Sequence, residues 1–180
     1  MSGSYRGYVT PPFRNPVLDR ADCYIIGIDP GCSGAIVVLQ SGACPQPIEW
    51  MRMPTIKVGK SSRVDAAAVS RFLSDFDVGH AFIEQVHSMP GQGVSSVYTF
   101  GHAAGVVEGV VAALMIPVTL VPPQTWKRRA GLIGTDKDAA RSRAIQLWPR
   151  WSELAKKGAG QALADAALIA RFGEETNPHG

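Results

Sequence analysis

The sequence predicts an α/β fold in which helices flank a mixed β-sheet in a single domain. Two observations lead to this prediction. Apolar, β-favouring segments come first along the chain and then alternate with segments of helical periodicity. The chain has 180 residues, 46% of them hydrophobic, which suits one core, and no internal repeat or linker divides it. No apolar run approaches the roughly 20 residues that a membrane helix needs.

The ends of the chain are predicted to be tails around a domain over residues 23–173. Residues 1–22 contain three prolines and no periodicity, which is typical of a flexible N-terminal tail, and residues 174–180 form a short C-terminal one. Three arginines in the first tail would suit an organelle transit segment, but an amphipathic helix is missing. Three cysteines without metal-ligand spacing indicate reduced thiols in an intracellular protein, in the cytoplasm of a cell or of a phage-infected host.

The elements follow from the spacing of apolar residues and from turn and capping residues. An apolar strand ends at Asp29, the Pro30-Gly31 turn follows, and a second strand begins near Ala35, so the two are expected to form a hairpin. Asp65 and Thr135 are expected to cap helices. The other expected elements are strands over 47–53, 78–86 and 118–121, helices over 66–76, 94–115, 124–129, 135–148 and 161–172, and polar loops over 54–63 and 89–93.

Three carboxylates are the candidate functional residues. Asp29 and Glu84 each stand near the end of an apolar strand, and such ends meet at one sheet edge if the strands are neighbours. Asp165 is surrounded by small and apolar residues, so its helix should pack closely on the sheet. Buried acids without a basic partner repel one another, and hard cations such as Mg²⁺ or Mn²⁺ would relieve that repulsion. Each acid also has a purely structural interpretation, as a turn residue or as part of an ion pair.

Positive charge is concentrated in one part of the chain. Residues 122–158 hold nine Lys or Arg against three Asp or Glu, although the whole chain has a net charge of only +3. A basic segment beside an acidic cluster indicates a phosphate-bearing partner, and the alternative is a solvated helix face. Together with the carboxylates, it suggests phosphodiester hydrolysis assisted by two metal ions.

Several motifs, in this order, resemble the RuvC-type Holliday-junction resolvases, especially the shorter phage and organellar relatives. They are Gly27-Ile28-Asp29-Pro30-Gly31, Ile83-Glu84-Gln85, Pro90-Gly91-Gln92-Gly93, Pro123-Gln124-Thr125-Trp126-Lys127, Asp136-Lys137-Asp138 and Asp165-Ala166-Ala167-Leu168-Ile169-Ala170. The resemblance implies a ribonuclease H-like fold, a homodimer, and paired Mg²⁺- or Mn²⁺-dependent nicks in a four-way DNA junction. It assigns Asp29, Glu84 and Asp165 as catalytic metal ligands for about two ions, and Lys137 as a catalytic or phosphate contact.

The chain departs from the family in one respect that bears on catalysis. Relatives have a further acid a few residues before the one matching Asp165, and residues 160–164 contain none. The alternative to a nuclease is therefore a junction-binding protein of the same fold with impaired or no cleavage. A sugar-kinase or actin-like ATPase also has an Ile-Gly-Ile-Asp-Pro-Gly-like loop, but it needs two such lobes and this chain supplies one.

Cations outside the acidic cluster are candidates for contact with the DNA backbone, because such contacts position DNA without reading its bases. In place of the aromatic residue that wedges into the junction in some relatives, this chain has His87. Any sequence preference would come from the loop at 89–93 or from distortion of the junction. The candidate DNA-binding residues are Lys60, Arg63, His87, Gln92, Lys127, Arg128, Arg129, Lys137, Arg141 and Arg143.

Overall fold

A computed structural model describes residues 24–85, 91, 93–136, 138–156 and 158–176. In the described residues, seven strands and five α-helices follow one another along the chain. The strands are β1 (Tyr24–Asp29), β2 (Ala35–Gln40), β3 (Gln46–Arg52), β4 (Thr55–Val58), β5 (Ser61–Val64), β6 (Val78–Glu84) and β7 (Val118–Val121). The helices are α1 (Ala66–Ser74), α2 (Val94–Ala113), α3 (Pro123–Arg129), α4 (Ala139–Leu147) and α5 (Ala159–Thr176), with a 3-10 helix over Ser152–Ala155.

The main sheet has five strands in the order β3-β2-β1-β6-β7. β1 pairs antiparallel with β2, which confirms the predicted hairpin, and β2 pairs antiparallel with β3. β1 pairs parallel with β6, and β6 pairs parallel with β7. The sheet is therefore mixed and helices cover both faces, as the sequence predicted.

The two faces of the sheet have separate apolar cores. Ile25, Val37 and Leu39 face α3, α4 and α5, whereas Ile26 and Ile28 face α1 and α2. Because both faces of β1 and β2 are covered, these strands are apolar without alternation. The continuous apolar runs in the sequence reflect this two-sided burial.

Helix α5 lies very close to β1 because both elements have small residues where they meet. A Cβ atom on Gly27 would collide with the carbonyl oxygen of Ala166 and with the backbone nitrogen of Ala170. Ala166, Ala167 and Ala170 are fully buried in this contact. The close approach fixes the position of Asp165, which precedes these alanines on the helix.

The structure differs from the predicted elements in three places. Residues 54–63 were expected to form a loop, but β4 and β5 form a separate two-stranded hairpin there. Helix α4 begins at Ala139 rather than after Thr135, whose hydroxyl donates to the carbonyl of Leu132 instead of capping the helix. Helix α5 extends to Thr176, into the predicted C-terminal tail.

Asp65 caps α1 as the sequence predicted, since its Oδ1 accepts from the backbone nitrogen of Ala68 at 3.0 Å. The predicted N-terminal tail lies outside the described residues, as does most of the loop at 89–93. Among the described residues, no helix combines the length and the apolar character that crossing a membrane requires.

Candidate active site

Asp29 is the last residue of β1, and the turn after it depends on glycine. Its Oδ1 accepts a hydrogen bond from the backbone nitrogen of Gly31 at 3.4 Å. The turn is closed by a 2.8 Å hydrogen bond from the nitrogen of Gly34 to the carbonyl of Gly31. A Cβ atom on Gly34 would collide with the backbone of Asp29. The Asp-Pro-Gly sequence therefore forms a turn and also presents a carboxylate at the end of a buried strand.

Glu84 is the last residue of β6, which lies directly beside β1. The strands run parallel with Ile28 opposite Ile83, so both carboxylates emerge at the same edge of the sheet. Glu84 Oε1 accepts a 3.0 Å hydrogen bond from Nε1 of Trp126, a residue of α3 that is 1% exposed. A buried indole can donate in only one direction, so this bond holds the Glu84 carboxylate in place.

Asp165 enters the site from α5, across the contact with Gly27. Nε2 of Gln161, one helical turn earlier, lies 3.1 Å from Oδ1 and 3.3 Å from Oδ2 of Asp165. The Oε1 atom of Gln161 is buried and has no partner among the described residues. One helical turn before Asp165 the chain thus has a neutral amide, and it donates to the Asp165 carboxylate.

The electrostatics show that the three carboxylates share one environment. The pKa of Asp29 is raised to about 6, first by burial and then by the charge of Glu84, whereas the hydrogen bond from Gly31 and the charge of Lys127 lower it. The pKa of Asp165 is raised to about 7, chiefly by burial and also by the charges of Asp29 and Glu84, whereas the hydrogen bond from Gln161 and the charge of Lys127 lower it. The acids predicted from separate segments therefore lie close enough to repel one another.

The donor set has the chemistry of a site for a hard divalent cation, because it consists of carboxylate oxygens whose mutual repulsion a cation would relieve. The three carboxylates nevertheless lie too far apart to bind one ion together in their present orientations. In the described part of the chain, no three His, Cys, Asp or Glu side chains lie close enough together to hold an ion as they stand. Glu84 is held by Trp126 and Asp165 by Gln161, so binding of one ion by all three requires these side chains to turn.

Among the candidate cations that the structure describes, Lys127 has a charge that acts on the acids. Its charge lowers the pKa of both Asp29 and Asp165, and its Nζ lies 5.2 Å from the centre of the Trp126 ring. It lines a cleft together with Asp165, Gln161 and Asp136. Lys127 is therefore placed to meet an anionic group that approaches the carboxylates.

The other candidate DNA-binding cations that the structure describes lie on three different elements and differ in their partners. Lys60 and Arg63 are exposed on the β4–β5 hairpin, and Arg128 is exposed on α3. Arg129 forms a 2.6 Å ion pair with Glu175, and Arg141 is mostly buried, 3.7 Å from Asp138. Arg143 donates to Gln146 at 3.3 Å. His87, Gln92 and Lys137 lie outside the described residues.

Two residues of the site were not singled out from the sequence. Trp126 and Gln161 are the hydrogen-bond donors to Glu84 and Asp165, respectively. A polar residue four positions before an acid on a helix is a usable indication, because such residues share one face. Nothing local indicates the contact between Trp126 and Glu84, which are 42 residues apart.

Comparisons with known proteins identify the fold. The structure of Thermus thermophilus RuvC is similar to this chain with a TM-score of 0.61 and 18% sequence identity, over 86% of this chain and 96% of that one. T. thermophilus RuvC in complex with a Holliday-junction substrate gives a TM-score of 0.60 and 16% identity over the same shares. The chain therefore has the RuvC-type, ribonuclease H-like fold that its motifs resemble.

A more distant similarity is found to the yeast mitochondrial Holliday-junction resolvase Ydc2, with a TM-score of 0.49 and 15% identity over 82% of this chain and 76% of that one. No protein-family model and no curated protein sequence matches the chain. The structural likeness thus concerns the backbone fold, and the chemistry must be argued from the side chains of this protein.

Proposed function

We propose that this protein is a structure-selective DNA endonuclease that resolves four-way junctions by paired, metal-dependent phosphodiester hydrolysis. The main support is the convergence of Asp29, Glu84 and Asp165 at one sheet edge of a RuvC-type fold, with the pKa values of two of them raised toward neutrality. Raised carboxylate pKa values of this size are typical of functional sites and are otherwise costly to stability.

In the proposed mechanism, Asp29, Glu84 and Asp165 are the ligands of Mg²⁺ or Mn²⁺, about two ions per site. Bound ions would supply an activated water and neutralise charge on the attacked phosphate. Trp126 holds Glu84 at its hydrogen bond of 3.0 Å, which limits the orientations of that carboxylate. Lys127 would attract the phosphate, and Lys137 is proposed as a further phosphate contact.

The proposed partner is branched DNA, bound by a homodimer of this chain. Helix α2 supports the dimer, because Gly105 and Gly109 are exposed on its outward side, where small residues let a second helix approach closely. A dimer would present two active sites to opposing DNA strands, which paired nicking requires. We further propose that the protein acts inside the cell.

The test is cleavage of a synthetic four-way junction in Mg²⁺ or Mn²⁺ by the wild-type protein and by Asp29→Asn, Glu84→Gln and Asp165→Asn. The matched control is Asp75→Asn, which changes an exposed acid at the end of α1. We expect nicking by the wild type and the control and at least a hundredfold loss in the other three. No nicking by folded wild type in either ion would contradict the proposal.

A specific observation favours a second candidate function, which is junction binding without cleavage. Gln161 provides a neutral donor to Asp165, so α5 contributes only the one negative charge of Asp165 to the site. An acid at position 161 would raise this contribution to two negative charges. Under this alternative, the wild type binds a junction tightly and does not cut it, whereas Gln161→Asp restores cleavage. Cleavage by the wild type excludes this alternative.

A further inference from the structure

A polar groove lies between the β4–β5 hairpin and the N-terminal half of α2, beside the turn that follows Asp29. Cys32 of that turn lines the groove, and its Sγ lies 3.7 Å from the carbonyl oxygen of Ser62 on the hairpin. The groove is therefore three residues along the chain from the candidate catalytic carboxylate. The proposed mechanism leaves it without a role.

The α2 side of the groove carries two aromatic rings. Tyr98 is 63% exposed, and its ring centre lies 6.0 Å from that of His102, one helical turn further on. The buried residues of α2, among them Ala103 and Val107, lie on the opposite side of the helix, so the tyrosine ring is not needed for the core. Tyr98 shares the outward side with Gly105 of the proposed dimer contact but lies two helical turns before it. Exposed aromatic faces next to polar groups are the usual platform on which unpaired bases stack.

The hairpin side of the groove is positively charged and rich in hydroxyl groups. Arg63 lines it, no acidic residue does, and no carboxylate in the described residues lies within ion-pair distance of Arg63. Ser62 accepts a 2.9 Å hydrogen bond from Nζ of Lys57, which adds a second cation at the hairpin. Ser95 supplies a further hydroxyl from α2, whereas the hydroxyl of Thr99 donates to the carbonyl of Ser95 at 2.8 Å. A guanidinium and several hydroxyls without a counter-charge favour a phosphate ligand.

We propose that this groove binds a single unstacked nucleotide of the branched DNA, with the base on Tyr98 and the adjoining phosphate on Arg63. This inference rests on the proposed function, because it presumes that the protein binds branched DNA. A stacked duplex hides the faces of its bases, whereas the branch point of a four-way junction can release one. The groove would thus contribute to selection of branched over linear DNA, next to the site of cleavage.

The test measures the affinity of a fluorescent four-way junction and of a duplex of equal length, in Ca²⁺ or EDTA so that DNA is not cut. The variants are Tyr98→Ala and Arg63→Gln. Their controls are Met115→Ala, which is 87% exposed just beyond the other end of α2, and Arg150→Gln, an exposed arginine lining a different cleft. A junction with the fluorescent base 2-aminopurine at the branch point is also used, because its fluorescence changes when the base leaves or enters a stack.

We expect Tyr98→Ala to weaken junction binding about tenfold and to leave duplex binding within twofold of the wild type. The change in 2-aminopurine fluorescence that the wild type produces on binding should be lost. Arg63→Gln should lower the slope of log K against log salt by about 1. Equal junction binding by the variants and controls overturns the inference while the proposed function stands. The inference is also overturned if Tyr98→Ala weakens duplex and junction binding equally, or if light scattering shows that this variant no longer forms a dimer. Wild type that binds neither DNA refutes the proposed function itself.

Discussion

Substitution of Asp165 by Asn should stabilise the metal-free protein at neutral pH. Burial is the largest cause of the raised pKa of Asp165, which is about 7 in the folded state against an ordinary value of 3.8 for an aspartate. Since one pKa unit corresponds to about 1.4 kcal/mol, ionised Asp165 costs the folded state roughly 4 kcal/mol at pH 7.5. Asn removes the charge and retains an oxygen that can accept the hydrogen bond from Gln161.

The stability of the wild type should also fall as pH rises from about 4 to 7. In this range the folded state holds protons on Asp29 and Asp165 that the unfolded state has already released, so raising the pH favours unfolding. At pH 4.5 the advantage of Asp165→Asn should shrink to about 1 kcal/mol, because Asp165 is then protonated in the folded protein.

The assay is urea unfolding in EDTA at pH 7.5 and pH 4.5, with Asp75→Asn as the exposed control. A gain of about 4 kcal/mol at pH 7.5 would raise the melting temperature by roughly 10 °C for a chain of this size. If Asp165→Asn is no more stable than wild type at pH 7.5, or if its advantage is the same at both pH values, Asp165 is not held in a repulsive, desolvated site.

Three further outcomes are expected. Trp126→Phe should slow junction cleavage about tenfold with a smaller effect on junction affinity, because Glu84 loses its donor; an unchanged single-turnover rate would contradict this role. Gly27→Ala should destabilise the fold by about 3 kcal/mol or more, since its Cβ collides with Ala166; a melting temperature within 2 °C of wild type would contradict that packing. Asp65→Ala should cost about 1 kcal/mol in urea unfolding, and no loss would argue against its capping bond.

The candidate site was predictable where it depends on strand ends. The apolar runs before Asp29 and Glu84 mark both residues as the ends of buried strands, and the parallel pairing of β1 with β6 brings them to one edge. The alanines around Asp165 indicate a closely packed helix, and its contact with Gly27 confirms that packing. These features are encoded in residues adjacent to the acids.

The cations were harder to predict, because their roles depend on distant partners. Arg129 was expected to contact DNA, yet it is paired with Glu175, which is 46 residues away and also binds Arg171. The two hydrogen bonds from Arg129 and Arg171 lower the pKa of Glu175, although burial by itself raises it. A count of positive charge along the sequence therefore overstates the charge available to a ligand.

The sequence by itself determined the order along the chain of the main-sheet strands and of the α-helices, and the choice of the three candidate acids, since local periodicity shows which side of each element is buried. Only the tertiary structure decided that Trp126 and Gln161 hold two of those acids and that the segment after β3 folds into a hairpin facing Tyr98. The reason is physical: burial patterns repeat within an element, whereas side-chain partners depend on how elements far apart in the chain pack together.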